Sequence, residues 1–172
     1  KLGFDDRIIY VGSLSKVMFN GLRLGYLVVP ESLVAKCLEI KDALTGDTAS
    51  HTQEALADFV REGDLLRHIR KMRRSYKLKH EAMIEAIKSE FHGDLEVISQ
   101  AAGLHVTVKW YQGISEHEWS RRAELENIII RPFDFYEYGS SDARDWSGAV
   151  LGFGNIRLAD IKPKIKQIAR LF

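Results

Sequence analysis

The order of elements along the chain predicts an α/β layer structure. Short apolar runs of strand character alternate with amphipathic helical segments, one long helical pattern fills the middle of the chain, and Gly, Pro or Ser/Asp stands at most boundaries. Residues 7–11, apolar after Arg7, and residues 24–29 read as buried strands. Only six residues precede the first run, which has the character of a strand inside a parallel sheet, so the chain reads as the later part of a longer one. Pro30 closes the second run, because proline cannot donate to a ladder.

Pro30-Glu31-Ser32 suits a helix start, with the helix running to about residue 44 and Gly46 as its stop. A second helix from Ser50 or Thr52 carries Ala55, Leu56, Phe59 and Val60 on one side and ends at Gly63. The third runs from Asp64 as N-cap to about Phe91, with Gly93 as its stop. Along it Leu65, Ile69, Met72, Tyr76, His80, Met83 and Ile87 recur at spacings of three and four and form one stripe. Arg67, Arg70, Lys71, Arg73, Arg74, Lys77 and Lys79 fall mostly off it. The remainder reads as strand 95–98, strand 104–110, helix 115–125, strand 128–130, strand 149–153 and helix 158–171. There is no internal repeat and no low-complexity linker.

Composition narrows the function classes. With 172 residues, 45% hydrophobic and 28% charged, the chain can bury a core and is neither disordered nor collagenous. A formal charge of +1 predicts no whole-surface attraction to nucleic acid or anionic membrane. The single Cys37 forms no internal disulfide, and no stretch approaches the ~20 apolar residues of a membrane span, so a cytoplasmic protein is expected.

The chemistry concentrates between the first two strands. Gly12-Ser13-Leu14-Ser15-Lys16 is followed by Arg23 within Gly21-Leu22-Arg23-Leu24-Gly25. A lysine with a pKa near ~10.4 is a poor nucleophile until desolvation or a neighbouring cation disfavours its charge. Arg23 supplies such a cation and can hold two phosphate oxygens at once, while Ser13 and Ser15 donate to others. One ligand with a carbonyl at one end and a phosphate at the other satisfies all four, and pyridoxal phosphate is such a ligand. A plain turn bearing a solvated lysine satisfies the same residues. Two other motifs are excluded: Ser13 and Lys16 match Ser-x-x-Lys but lack the Ser-Asp-Asn and Lys-Thr-Gly partners, and a Walker loop needs glycine before the lysine, where Ser15 stands.

The whole segment from Val11 through Lys16-Val17-Met18-Phe19-Asn20 to Tyr26 resembles the cofactor-lysine motif of fold-type I pyridoxal phosphate enzymes, the aminotransferase class I/II group. Gln53-Glu54-Ala55-Leu56-Ala57-Asp58-Phe59, His68-Ile69-Arg70-Lys71-Met72-Arg73-Arg74-Ser75-Tyr76 and Ala102-Gly103-Leu104-His105 are similar to one branch of it, the MocR subfamily of GntR-type transcriptional regulators. Arg131-Pro132-Phe133-Asp134-Phe135-Tyr136 and Leu151-Gly152-Phe153-Gly154 fit as well.

The resemblance implies the C-terminal part of a fold-type I aminotransferase-like domain. Residues 1–75 would end the large cofactor domain and begin the interdomain helix, and residues 76–172 would form the small α/β domain. It further implies Lys16 as the lysine of the internal aldimine, and Arg23 with Ser13 and Ser15 at the phosphate. The aspartate on the pyridine nitrogen and the aromatic stacked on the ring lie upstream in the family, outside these residues. The expected function is sensing of an amino acid or amine effector by a homodimer that reaches DNA through an N-terminal winged-helix domain. A genuine class I/II aminotransferase acting on an amino acid, with Lys16 as its proton-moving base, is the alternative.

Some features depart from the family or read more plainly. Asn20 replaces a proline frequent before Gly-Leu-Arg, and Val150 stands where many aminotransferases carry a carboxylate-binding arginine. Arg131, Arg144 and Arg157 are candidate substitutes, though each reads first as a solvated surface arginine. The basic run over 67–79 reads as the solvated side of a long helix rather than a nucleic-acid surface. His51, His68, His80, His92, His105 and His117 show no metal-ligand spacing and read as structural. Trp110, Tyr111 and Trp119 are expected to pack, while Tyr138 and Trp146 flank a loop containing Gly139, Ser140 and Ser141, a candidate for closing over a ligand.

Overall fold

The computed structural model describes residues 7–99, 103–138 and 144–172. Two compact units divide between Arg73 and Arg74, within the helix that both share.

In the first unit, strand β1 (Tyr10–Ser13) pairs antiparallel with β2 (Gly25–Val28), in the register Tyr10↔Val28 and Gly12↔Tyr26. Helices α1 (Glu31–Thr45) and α2 (Ser50–Arg61) follow, and then the start of α3 (Asp64–Phe91). α1 begins directly after Pro30 and ends at Gly46, whose φ of 61° is open to glycine and whose amide caps the Asp42 carbonyl. Two expectations need correction. β1 starts three residues later than the apolar run suggested, and it joins an exposed antiparallel pair rather than a buried parallel sheet. The loop between the strands permits a direct antiparallel return, whereas a parallel neighbour needs a crossover of about a dozen residues or more. No described residue of this unit is fully buried, and Val11 and Leu27 keep 72% and 56% of their surface. A groove of about 700 Å³ runs between β2 and α1, lined among others by Leu27, Val34, Leu38 and the free thiol Cys37.

The second unit is a two-layer α/β sandwich. Its sheet has the order β3-β4-β6-β5, comprising β3 (Glu96–Val97), β4 (His105–Trp110), β5 (Arg131–Pro132) and β6 (Ser147–Gly152), with every pair antiparallel. β4 alternates as a half-buried strand should: Val106, Val108 and Trp110 are buried, while His105, Thr107 and Lys109 are not. Ala149 and Leu151 of β6 are buried too, and the core is completed from α3 (Met83, Ile87, Phe91), α4 (Glu116–Leu125; Trp119, Ala123) and α5 (Leu158–Ala169; Ile161, Ile165, Ile168).

Phe91, Trp110, Trp119 and Phe172 meet edge-to-face, with ring centroids 5.2–5.8 Å apart. Both indole N–H groups are satisfied, Trp110 on the Ile114 carbonyl at 2.7 Å and Trp119 on that of Ile168 at 3.0 Å. Tyr111, expected to pack, is exposed instead. It follows the inward-facing Trp110 and therefore points the other way.

The expected strand 128–130 is a loop, and pairing starts only at Arg131. Asn127 closes α4 with φ 57°, the Ile128 amide turns back to the Ala123 carbonyl, and the Ser120 hydroxyl takes the Ile130 carbonyl at 2.7 Å. Those backbone groups are committed before a strand can use them. Ser115 is the N-cap of α4, its hydroxyl accepting from the Glu118 amide at 3.2 Å. Among the described residues no helix is long and apolar enough to cross a membrane.

Candidate functional site

Lys16 stands on the loop joining β1 to β2, and three short hydrogen-bonded devices shape that loop. The Leu14 amide donates to the Leu24 carbonyl at 3.1 Å, extending the strand pairing past Ser13↔Gly25. The Val17 and Met18 amides both donate to the Leu14 carbonyl, at 3.1 and 2.8 Å, winding residues 14–18 into one helical turn. A 3-10 turn follows at Asn20–Leu22, and Arg23 leaves it with φ 49° and ψ 36°. That left-handed backbone is uncommon for a residue with a β-carbon, and strain of this kind is stored at functional sites.

Ser13, Ser15, Lys16 and Arg23 therefore all belong to one end of the strand pair. Ser13, Lys16 and Arg23 are exposed and Ser15 is half-buried. Among the described residues no hydrogen bond or ion pair occupies the Lys16 amine, and its exposure means that those residues do not supply the desolvation expected to activate it. The Ser15 amide donates to Ser13 Oγ at 3.3 Å. One lone pair of that hydroxyl is thus used while its proton remains available to an outside acceptor. An amine, a hydroxyl and a guanidinium on one loop are the set of groups that a phosphate-bearing aldehyde requires.

A β-carbon on Gly12 would run into the ring of Tyr26, so the tyrosine ring lies across the strand just before the lysine loop. Tyr10 packs against the same ring at 6.0 Å, and its side-chain hydrogen bond raises the Tyr26 pKa above the ordinary value.

One residue of this neighbourhood was not singled out by its position in the sequence. His68, in the first turns of α3, places Nε2 2.9 Å from the Val17 carbonyl oxygen, and its ring meets Phe59 at 6.4 Å. The fifty-one positions separating the partners leave no spacing signal to find.

The candidate arginines separate clearly. Arg157 is 85% exposed and pairs with Asp160, as a surface arginine does. Arg131 is exposed, lies over the Phe135 ring at 5.3 Å and is the direct cross-strand neighbour of Val150. Arg144 corrects the expectation of a solvated side chain: only 12% exposed, it pairs with Glu116 and Glu137 and stacks on the rings of Trp146 and Phe133. With its donors committed to carboxylates it is a structural arginine.

Among the described residues one cluster, Glu116, His117 and Asp134, brings potential metal-ligand atoms within 4.8 Å of one another. Its atoms are already engaged. Glu116 accepts from Arg144, from the Asp134 amide at 3.0 Å and from the Gly148 amide at 2.6 Å, and His117 Nε2 lies 2.7 Å from Asp134 Oδ2. Gly139, Ser140 and Ser141, the loop expected to close over a ligand, lie outside the described residues. The basic residues from Arg67 to Lys77 are exposed, while Lys79 reaches the Gly154 carbonyl at 2.9 Å.

Comparison with known proteins gives this loop its context. The model of the family "Aminotransferase class I and II" matches residues 2–144. The uncharacterized HTH-type transcriptional regulator YhdI of Bacillus subtilis is 28% identical over 164 residues, which are 95% of this chain and 34% of YhdI. The probable rhizopine catabolism regulatory protein MocR of Rhizobium meliloti is 25% identical over 98% of this chain and 34% of its own. Among solved structures, the alpha-aminoadipate aminotransferase LysN of Thermus thermophilus, complexed with N-(5'-phosphopyridoxyl)-L-leucine, matches with a TM-score of 0.83 at 24% identity, over 95% of this chain and 41% of LysN.

The chain spans about a third of the length of the curated relatives it matches. The expected fold, that of a fold-type I aminotransferase, and the likeness to MocR-type regulators are both borne out. With the family model covering most of its residues, this chain belongs to the aminotransferase class I and II family.

Proposed function

We propose that this chain is part of a pyridoxal phosphate-binding, effector-sensing domain of a MocR-type regulator, and that Lys16 is its cofactor lysine. The observation that carries the reading is the exposed Lys16 amine, unoccupied among the described residues, on the same loop end as the Ser13 hydroxyl and Arg23. When bound, the cofactor supplies an aldehyde carbon for the lysine amine and an electron-withdrawing ring. Lys16 provides the amine. Ser13 donates its free hydroxyl proton to the phosphate, Ser15 adds a second hydroxyl, and Arg23 balances the anionic charge.

An amino acid or amine effector would offer an amine of the same chemistry as Lys16, and Lys16 would stand as a free amine on the loop whenever the effector is engaged. That change would bias a cytoplasmic homodimer between DNA-binding states, with DNA contacted through a winged-helix domain outside these residues. The large domain would end, and the small one begin, near residues 75 and 76.

Borohydride reduction of the full-length protein loaded with pyridoxal phosphate, followed by peptide mass mapping, tests the reading. A pyridoxyl adduct on Lys16 is expected, and its absence overturns the assignment. Multiple-turnover transfer of the amino group to a keto acid would overturn the purely sensing role in favour of an aminotransferase.

A further inference from the structure

Val17 follows Lys16 and sits in the last part of the single helical turn 14–18. The carbonyls at the end of such a turn have no partner within it and must find one elsewhere. The Leu14 carbonyl is used twice, by the Val17 and Met18 amides, and the Val17 carbonyl is taken by His68 Nε2 at 2.9 Å. A carbonyl oxygen only accepts, so Nε2 carries the proton of this bond and the imidazole orientation is set. The Phe59 ring, edge-on at 6.4 Å, limits where the imidazole can swing. Lys16 is thereby fixed at its backbone from two directions: by the Leu14–Leu24 bond to the strand pair on one side and by His68 of α3 on the other.

We infer that His68 is a positioning residue for Lys16, holding the turn that carries the lysine through the Val17 carbonyl, so that the direction of the amine depends on α3 as well as on the strands. This rests on the reading of Lys16 as the cofactor lysine. Without the His68 bond the turn keeps only its internal bonds and the link to Leu24, and a single helical turn is weak when it is not held from outside. A nucleophile whose backbone wanders spends less time in the attacking geometry.

The test uses the full-length protein with His68→Phe, which keeps a ring beside Phe59 but has no donor, and His68→Gln, which keeps an N–H. Should the phenylalanine variant not fold, His68→Leu takes its place. Two quantities are read: backbone hydrogen exchange of the peptide containing Val17 and Met18 in cofactor-free protein, and the rate at which borohydride-trappable adduct forms on Lys16 after pyridoxal phosphate is added. His68→Phe is expected to speed the exchange by roughly threefold to tenfold and to slow adduct formation by a similar factor, as loss of one hydrogen bond implies. His68→Gln is expected to restore both toward wild type.

Faster exchange with an unchanged adduct rate would overturn the inference, because His68 would then be structural only. Unchanged exchange in His68→Phe would overturn it as well. Absence of any adduct on Lys16 in the wild-type protein would instead sink the cofactor assignment, and the exchange measurement would still decide whether His68 holds the turn.

Discussion

Arg144 grips Glu116 with both terminal guanidinium nitrogens, at 3.1 Å each, in a setting where the two side chains are only 12% and 7% exposed. The pair ties the first turn of α4 to the segment entering β6. Glu116 also accepts the Asp134 and Gly148 amides, so donors from three residues converge on one carboxylate. Removing one partner of a buried pair leaves the other uncompensated, at a cost of about 3–5 kcal/mol. Arg144→Met is therefore expected to destabilise the second unit by an amount in that range, measured as a lowered denaturation midpoint.

The same carboxylate makes the unit acid-sensitive. Burial by itself would raise the Glu116 pKa, but the Arg144 guanidinium and the Asp134 and Gly148 amides outweigh burial and hold it below its ordinary value. A carboxylate with a depressed folded-state pKa contributes stability that is present in full above the unfolded value of about 4.3 and is lost as pH falls through the folded one. Glu118, hydrogen-bonded by Arg121 and Arg122, is lowered to about 2 and adds a weaker, solvent-screened contribution of the same sign. Stability measured from pH 6 down to about pH 2 should fall progressively, and Glu116→Gln should flatten that fall while lowering stability at neutral pH.

Gly148 leaves no room for a side chain. An added β-carbon would stand 2.6 Å from Trp146 Cζ3, 2.9 Å from Phe133 Cβ and 3.2 Å from the Val108 carbonyl oxygen. Phe133 and Trp146 are also the rings on which Arg144 stacks, at 5.3 and 4.6 Å. Gly148→Ala is expected to cost about 1–3 kcal/mol of overpacking. Because it also displaces the rings around Arg144, the double variant Gly148→Ala/Arg144→Met should cost less than the sum of the single ones in a double-mutant cycle.

The helical and strand patterns were legible wherever one face is buried against the other layer. The stripe Leu65 to Ile87 on α3 is buried or half-buried at every position, and the inward residues of β4 follow the alternation without exception. The pattern misled where burial and apolar character part company: residues 7–11 look like a core strand, yet β1 is exposed among the described residues. The outcome at 128–130 turned on the Ser120 hydroxyl and the αL turn at Asn127, side-chain and turn chemistry that hydrophobic periodicity does not encode. The lysine loop was legible because its residues are close in sequence. His68 and Arg144 were not, because their roles depend on partners fifty-one and twenty-eight residues away.

His80 shows the opposite case, a polar atom inside an apolar stripe. Among the described residues its Nε2 is buried with no hydrogen-bond partner, and its ring meets Phe153 edge-on at 5.8 Å. Leaving such a group unsatisfied costs about 1–3 kcal/mol, so an apolar residue of similar volume should recover part of that. His80→Leu is expected to raise the denaturation midpoint by an amount corresponding to about 1 kcal/mol. A fall instead would mean that the imidazole finds a partner in solution.

The two loop serines make separable contributions to the proposed cofactor anchor. Ser13 both receives the Ser15 amide and has a hydroxyl proton to give, so Ser13→Ala removes an anion donor and frees the amide that shapes the turn. Ser15→Ala removes a hydroxyl but keeps that amide and its place in the loop. A hydrogen bond to a charged phosphate is worth about 1.5–3 kcal/mol, or roughly tenfold to a hundredfold in affinity. Ser13→Ala should weaken pyridoxal phosphate binding by at least that range, and Ser15→Ala by no more than it. Saturating cofactor should restore the Lys16 adduct in both variants, because neither touches the amine. Equilibrium titration of the full-length protein by cofactor absorbance checks both arms. Equal affinities for wild type and Ser13→Ala would remove this residue from the phosphate and leave Arg23 as the principal anion partner on the loop.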